Sequence, residues 1–506
     1  MAKLCLCLTG KTIARNLEIL DRYRSFIDIA ELRVDHLDPD ERFSIRMFPE
    51  QAGIPVILTI RRRIDGGLFD NGEGSRVSLL SKGLAFAEAD RRHNFAYVDL
   101  EEDLEVPGLE DAARTFGTRI IRSFHDFDGV GDDIVKRLRN MRRVGDEIVK
   151  AAVMPRTLSD VSRVYRIAAQ TKDLEKILIC MGPLGINTRI LANRLGSHLS
   201  YASPSGEGDT EKASPGQLDP RDMAELYRFR SVGEKTKILG VTGHPLKTTF
   251  SPMIFNTVFN HEKIDAVYVP FPADDLEGFL ELAREIKLLG ASITVPYKEE
   301  IIPFLEETSD VVSAIGACNT ILFNGEKWSG INTDTSGFSE SLLSVMNRKH
   351  FKGLKFTIIG AGGAAKAVAH EIFRLKGKCL VLNRGAVRAR DLAHHYHFKW
   401  GGLDSGSLDL MDSYSDAIIQ TTPVGTFPNL ESDPFPQYPF KGSEVVMDLI
   451  YNPQRTAFLK RAQAGGCTIV NGFDMLVRQA KYQYQFFLDR DFPDQLIPRL
   501  KLWAGQ

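Results

Sequence analysis

Cysteine is scarce in this chain. Six occur in 506 residues, at positions 5, 7, 180, 318, 379 and 467. None has Cys-x-x-Cys spacing, and no Cys/His cluster has the spacing of zinc ligands, which excludes a disulfide framework and a thiolate zinc site. No metal is expected, and the thiols read as buried and reduced. No apolar run approaches the ~18 residues of a membrane helix. The opening Met1-Ala-Lys-Leu-Cys-Leu-Cys-Leu8 is too short an apolar run for a signal peptide, so the expected location is cytoplasmic. Neither sign of charge dominates: 64 Lys and Arg face 66 Asp and Glu, a net charge of -2. That balance argues against nucleic acid or an anionic membrane as a partner. What is present, 43% hydrophobic and 26% charged residues, is the composition of an ordinary soluble globular protein, with length for about three domains.

In the first half, short apolar runs alternate with helix-period segments. The predicted strands are Leu4–Leu8, Ile27–Val34, Pro55–Ile60, Ala96–Leu100, Thr118–Ser123, Ile148–Val153, Lys176–Met181 and Leu199–Tyr201. Amphipathic stretches separate them. In Asp133–Val144, for example, Ile134, Leu138 and Met141 share a helical face. Strand–helix alternation of this length predicts a (β/α)8 TIM barrel. The polar residues gather near the ends of the strands. Glu31, Arg33 and Asp35 alternate at the end of strand 2; Arg61 and Asp65 follow strand 3, and His125 follows strand 5. Lys150 lies inside strand 6, Arg189 beyond strand 7, and Gln217 beyond strand 8. The C-terminal mouth is where barrel enzymes build their sites.

Lys150 stands out. A lysine in an apolar strand loses the hydration that favours its ammonium, and a free amine can attack a ketone to form a Schiff base. The resulting iminium acidifies a neighbouring C–H, and His125 is suited to carry that proton. A lysine that merely snorkels out of the barrel is the alternative, and His125 weighs against it.

Glu31-Leu-Arg-Val-Asp-His36, Thr59-Ile-Arg61, Ser123-Phe-His-Asp-Phe127, Lys150-Ala-Ala-Val-Met-Pro155 and Pro215-Gly-Gln217 resemble the type I 3-dehydroquinate dehydratases, over residues 1–228. The resemblance implies Lys150 as the Schiff-base lysine and His125 as the proton carrier, with Asp65 orienting the histidine. It implies Glu31, Arg33, Arg61, Arg189 and Gln217 as substrate contacts, with Arg189 clamping a carboxylate. Two departures stand out. Asp65 replaces the family's glutamate, and Ala213-Ser214-Pro-Gly-Gln217 replaces its Ser-Ala-Pro-Gly-Gln loop.

After a predicted helix from Pro220 to Phe229 and the polar connector Ser231–Lys237, a second pattern begins. Strands are predicted at Ile238–Gly243, Ala266–Pro270, Ala291–Val295 and Thr320–Phe323. Then Leu354-Lys-Phe-Thr-Ile-Ile-Gly360-Ala-Gly-Gly-Ala-Ala-Lys366 runs from an apolar strand into a glycine-rich turn and a small-residue helix, a place where a backbone can approach a pyrophosphate. The next strand, Cys379-Leu-Val-Leu-Asn383-Arg384, ends where a Rossmann unit reads the ribose. Arg384 and Arg388 stand there instead of a carboxylate, which suits a 2′-phosphate and favours NADP. Strands at Ala417–Thr421 and Val445–Ile450 extend the sheet. Lys298 and Asp334 are candidate acid/base partners, although spacing alone equally allows an ordinary salt bridge.

Thr249-x-Ser251-Pro, Gly290-x-x-Ile-Thr-Val-Pro-x-Lys298, Ala317-Cys-Asn319-Thr, Asn332-Thr-Asp334, Gly360-Ala-Gly-Gly-Ala-Ala, Thr422-Pro-Val-Gly and Asn471-Gly-x-x-Met-Leu-x-x-Gln479 resemble shikimate dehydrogenase. The resemblance implies a two-lobed α/β dehydrogenase. Its substrate-binding domain spans 237–340 with C-terminal helices in 475–506, and its NADP-binding Rossmann domain spans 341–474. Lys298 and Asp334 would be the catalytic pair. Thr249, Ser251 and Tyr451 would meet the shikimate carboxylate, and Thr294, Asn319 and Gln479 the ring hydroxyls. Gly360, Gly362, Gly363, Ala364, Asn383, Arg384, Arg388, Thr422 and Gly472 would hold the coenzyme. Together the halves resemble the bifunctional dehydroquinate dehydratase–shikimate dehydrogenases. In these the product of the first half, 3-dehydroshikimate, is the substrate of the second. Besides the reading of one half as an inactive scaffold, which Asp65 keeps open for the first half, two others stay open at this stage. One is an NAD-dependent catabolic quinate or shikimate dehydrogenase, which the two arginines disfavour. The other is a non-catalytic quinate-sensing regulator, disfavoured by the presence of Lys150, His125, Lys298 and Asp334. No oligomeric state is assigned.

Overall fold

The predicted alternation of strands and helices is realised in a computed structural model that describes residues 1–84, 90–205, 213–246 and 249–503. The first strands are β1 (Lys3–Leu8), β2 (Ile29–Arg33), β3 (Val56–Thr59), β4 (Tyr97–Glu101), β5 (Arg119–Asp126), β6 (Ile148–Val153), β7 (Lys176–Cys180) and β8 (Leu199–Ala202). They form one sheet in the order β7-β6-β5-β4-β3-β2-β1-β8, with parallel ladders between neighbours. The ring is drawn together between β7 and β8 by a single parallel bridge, Lys176 to Ser197. Every strand predicted for the barrel is present. The expected helix in Asp133–Val144 runs from Ile134 to Met141.

Alternation along the strands fills the barrel interior. Cys5, Ile29, Ile57, Ile121, Ile148, Ile177 and Tyr201 belong to one buried cluster, each large apolar side chain contributing roughly 1.5–3 kcal/mol of burial. Further along the same strands, toward their C-terminal ends, the inward positions become polar. The barrel floor is therefore apolar and its mouth charged.

The predicted Pro220–Phe229 helix is not formed as expected. Asp222–Leu226 is a five-residue π-helical turn, and Phe229–Ser231 a 3-10 turn. Arg228 between them sits at φ 47, a left-handed conformation that no regular α-helix accommodates.

The second sheet contains β9 (Lys237–Gly243), β10 (Ala266–Pro272), β11 (Leu288–Ile293), β12 (Glu307–Thr308), β13 (Thr320–Phe323) and β14 (Trp328–Ile331), ordered β10-β9-β11-β13-β14-β12. Strands β12 and β14 were not legible: one is two exposed residues, and the other is four residues interrupted by Ser329 and Gly330. The third sheet contains β15 (Lys355–Ile359), β16 (Lys378–Asn383), β17 (Lys399–Gly402), β18 (Ala417–Gln420), β19 (Val445–Asp448) and β20 (Thr468–Val470). Its order is β17-β16-β15-β18-β19-β20, parallel throughout. This is the doubly wound dinucleotide-binding order, with its switch point between β15 and β18. Strands β17 and β20 escaped the sequence pattern because Lys399-Trp-Gly-Gly402 and Thr468-Ile-Val470 are too short to show a period. A long helix, Gly472–Leu488, and a short one, Ile497–Trp503, complete the C-terminal region.

The chain divides into two compact units, residues 1–238 with 265–288 and residues 239–264 with 289–506. Among the described residues no helix is long and apolar enough to cross a membrane, and no cluster of His, Cys, Asp and Glu could hold a metal ion.

Candidate active sites

The polar mouth of the barrel is one cavity. Glu31 and Arg33 reach it from β2, Arg61 and Asp65 from the segment after β3, and Lys150 from β6. Arg189 comes from the short helix after β7 and Gln217 from the loop after β8. His125 lines it too, from within β5 rather than beyond it. Lys212, where that last loop opens, lies outside the described residues. Gly216 makes the loop's turn at φ 79, and a Cβ there would stand 2.3 Å from the Gly182 carbonyl oxygen.

Lys150 does not lie bare among apolar groups, as the sequence suggested. Its Nζ donates to Asp99 Oδ2 at 2.8 Å and to the Tyr201 hydroxyl at 3.2 Å. Asp99 also accepts from Ser123 Oγ at 2.5 Å and pairs with Arg61 at 2.9 Å. Arg61 in turn meets Glu101 at 2.6 Å, and Glu101 meets the fully buried Arg76 at 2.5 Å. Burial works against ionisation of Asp99, yet the Arg61 and Lys150 cations outweigh it and hold the carboxyl well below its ordinary range. Asp99, Glu101 and Tyr201 were missed. A signal existed: Tyr97-Val-Asp-Leu-Glu101 puts two carboxylates at alternate positions of one strand, where Asp is disfavoured.

The histidine is poised as a base. Burial, then the Arg61 cation, push His125 from 6.5 down to about 3; Lys150 adds to this and Asp65 opposes it. Its imidazole is therefore neutral near pH 7. His125 Nδ1 lies 3.8 Å from Asp65 Oδ1, beyond hydrogen-bond reach, and has no hydrogen-bond partner. Burial would raise the Asp65 carboxyl, but His125 and Arg62 bring it down to about 2. Arg189 is 1% exposed. Its NH2 donates to Pro215 O at 3.2 Å and Ser214 Oγ at 3.4 Å, its Nε has no partner, and among the described residues no carboxylate pairs with it. A buried guanidinium without a counter-ion is costly and marks a place for an anion. Arg33, by contrast, is already engaged bidentately by Asp35 at 2.9 and 2.7 Å. Glu31 accepts from Thr59 Oγ1 at 2.9 Å and from the Cys7 thiol at 3.2 Å, and Gln217 donates to Cys7 Sγ at 3.2 Å.

A second cavity, of about 250 Å3, lies in the other unit. Thr249, Ser251, Thr294, Lys298, Asn319, Asp334, Tyr451 and Gln479 line it, and so do Ala364 and Gly472. Lys298 Nζ donates to Asp334 Oδ2 at 2.6 Å. Asn319 Nδ2 donates to Asp334 Oδ1 at 2.8 Å and to Gln479 Oε1 at 2.9 Å. Asp334 opens the helix Asp334–Met346, where an anion is favoured by the unpaired backbone N–H groups. Gln483 was overlooked; it lines the cavity with Ser292 and joins Ser292 at 3.0 Å to Thr320 at 2.9 Å. Its position one helical turn after Gln479 was the available signal.

The remaining coenzyme candidates cluster at the switch point of the third sheet. Gly360 has φ 120, and a Cβ there would sit 2.3 Å from Thr421 Oγ1; at Gly362 a Cβ would meet nothing within 4 Å. Gly362 caps the helix Gly363–Arg374, and Gly363 lies against Lys298. Asn383 ends β16, its side-chain amide donating to Gly385 O at 3.0 Å. Thr422 lies just beyond β18, its backbone N–H donating to Gln420. Arg384 and Arg388 are exposed, and no ion pair engages either among the described residues. Arg388 and Gly362 also line a third cavity with Lys366 and His395. Open space before a helix N-terminus, with two exposed cations beyond the next strand, fits a phosphorylated dinucleotide.

The family model of type I 3-dehydroquinase matches residues 4–234, and that of the shikimate dehydrogenase substrate binding domain matches residues 241–321. The NADP(+) shikimate dehydrogenase of Nostoc sp. is 34% identical over 268 residues, covering 51% of this chain and 92% of that protein. The chain belongs to the type I 3-dehydroquinase and shikimate dehydrogenase families, joined in series. The chloroplastic bifunctional 3-dehydroquinate dehydratase/shikimate dehydrogenase of Arabidopsis thaliana is 29% identical over 497 residues, covering 93% of this chain and 79% of that protein. A crystal structure of shikimate dehydrogenase in complex with NADP+ matches with a TM-score of 0.50 and 30% identity, covering 54% of this chain and 98% of that one. The barrel mouth thus belongs to the dehydratase half and the other two cavities to the dehydrogenase half.

Proposed function

We propose that this chain converts 3-dehydroquinate to 3-dehydroshikimate in residues 1–228 and reduces that product to shikimate with NADPH in residues 237–506. In the second half the Rossmann domain would be 341–474, and the substrate domain 237–340 with the helices of 475–506. The single observation that carries the reading is the barrel mouth: a lysine, a neutral histidine and a buried arginine that no carboxylate pairs with among the described residues meet in one cavity. Arg189 takes the substrate carboxylate bidentately. Lys150 Nζ gives up a proton and adds to the C3 carbonyl carbon, and loss of the carbinol oxygen as water leaves an iminium. His125 then removes a C2 proton and returns it to the departing C1 hydroxyl, which leaves as a second water. Hydrolysis of the iminium frees Lys150. Glu31, Arg33, Arg61 and Gln217 hold the hydroxyls and carboxylate, and Asp65 steadies His125.

In the second half, Thr249, Ser251 and Tyr451 meet the carboxylate, and Thr294, Asn319 and Gln479 the ring hydroxyls. Lys298, paired to Asp334, places a proton on the carbonyl oxygen and steadies its developing charge. NADPH, when bound, supplies the hydride. Gly360, Gly362, Gly363 and Ala364 would lie along its pyrophosphate, Asn383, Arg384 and Arg388 at its 2′-phosphate, and Thr422 and Gly472 toward the nicotinamide. The reading makes the protein a cytoplasmic enzyme of aromatic biosynthesis whose partners are small molecules.

Two measurements test it. Mixing the chain with 3-dehydroquinate and NADPH should yield shikimate with equimolar loss of NADPH. Borohydride added with 3-dehydroquinate should fix a covalent adduct on Lys150. Dehydration that persists with no adduct at Lys150 would falsify the Schiff-base route.

A further inference from the structure

The dehydratase half departs from its family at Asp65, one methylene shorter than the glutamate expected to orient the histidine. A shorter carboxylate reaches less far, and it needs a firmer hold. The structure shows one. Arg62 Nε donates to Asp65 Oδ2 at 2.7 Å. The same guanidinium is gripped from its other edge by Asp103, with NH1 and NH2 donating at 3.0 and 2.9 Å. A planar guanidinium bonded along two edges has little freedom to rotate. The other oxygen of Asp65 is thereby left facing His125 Nδ1 at 3.8 Å. The turn that carries Asp65 is itself fixed: Gly66 and Gly67 N–H donate to Arg63 O at 3.0 Å and Arg62 O at 2.8 Å.

We propose that Arg62 is a positioning residue for the dehydration: held by Asp103, it fixes the Asp65 carboxylate against His125 and makes up for the missing methylene. This rests on the reading of His125 as the base. The charged groups that face His125 are Asp65 and Arg61 from the segment after β3, Asp99 from β4 and Lys150 from β6. Arg62 stands behind Asp65 and neutralises part of its charge. Removing Arg62 therefore has two effects of known sign. Asp65 becomes free to move, which slows the step that needs an oriented imidazole. Its uncompensated charge also favours the imidazolium, which raises the pH at which the base is lost.

The test is steady-state dehydration kinetics across pH for Arg62→Met, Asp65→Glu and the double variant. Arg62→Met should lower kcat about tenfold with KM within about twofold, since orientation rather than binding is lost. The acid limb of its kcat/KM profile should move upward. In the double variant the longer carboxylate reaches His125 without help, so kcat should return to within about threefold of the parent. Borohydride trapping at Lys150 should be unchanged throughout. Asp103→Asn loosens the same grip from an exposed position and should reproduce the effect in weaker form, which keeps the test available if Arg62→Met does not fold. An unchanged profile for both Arg62→Met and Asp103→Asn, or a double variant as slow as Arg62→Met, overturns the proposal. His125→Ala is run alongside: if it still dehydrates at the parent rate, the assignment of the base itself fails.

Discussion

His125 is kept neutral by burial and by Arg61, and this has a signed consequence for stability. The unfolded chain takes up a proton near pH 6.5, whereas the folded chain refuses it down to about pH 3. Stability is fully present above pH 6.5 and is lost as pH falls from there toward 3, by at most about 1.4 kcal/mol per pH unit for one such group. His125→Gln cannot titrate. Urea melts between pH 6.5 and 4.5 should give a flatter slope for this variant than for the parent, since the carboxylates that titrate in that range, such as Asp448, which burial raises to about 7, are common to both. Parallel slopes would mean that the folded chain accepts the proton after all. Asp99 shows what one side chain hides: as a sequence letter it was one aspartate in a strand, whereas in the fold it holds Lys150, Arg61 and Ser123 together.

The loop after β8 decides more than its length suggests. Ser214, Pro215 and Gln217 all face the barrel cavity, and Ser214 and Pro215 are the polar contacts of Arg189. Gly216 sets their direction, at φ 79 and with the Gly182 carbonyl where a Cβ would be. A side chain in that conformation costs on the order of 1–3 kcal/mol, and the clash displaces the loop in addition. Gly216→Ala should raise KM for 3-dehydroquinate about tenfold or more, because the carboxylate clamp and Gln217 move together. KM within twofold of the parent would show that the loop does not set the clamp. The family's serine in this loop is one position earlier; here Ser214 still reaches the cavity and Arg189, so the hydroxyl is shifted rather than lost.

At the level of the molecule, the barrel sheet is complete between Lys3 and Ala202, and the Rossmann sheet between Lys355 and Val470. Residues 265–288 nevertheless belong to the first compact unit. Their helix, Leu276–Glu285, lies along the helix Leu158–Gln170, with Arg166 meeting Glu281 at 2.8 Å. That pair is half-exposed and contributes about 0–1 kcal/mol. A fragment of residues 1–238 should therefore fold and dehydrate 3-dehydroquinate, with a melting temperature below that of the intact chain. Circular dichroism and a dehydration assay on the fragment check this, and an unfolded fragment would refute it.

The sequence by itself, through its motifs and periods, determined the two-enzyme order, the barrel strands, the switch-point glycines and many of the polar side chains that line the two cavities, though not Tyr201 or Gln483. Those signals are local: a period of two or 3.6 residues, a glycine turn, a polar residue at a strand end. Short strands such as β12 and β20 carry no period and went unread. The helix expected at Pro220–Phe229 gave way to tighter and wider turns around a left-handed Arg228. What only the tertiary structure decided was charge pairing across strands. Neighbouring strands of a barrel bring Asp99 to Lys150, 51 residues apart, and a tight turn brings Arg62 between Asp65 and Asp103. Electrostatic energy depends on separation in space and on burial, and neither quantity is written in the spacing of residues along a chain.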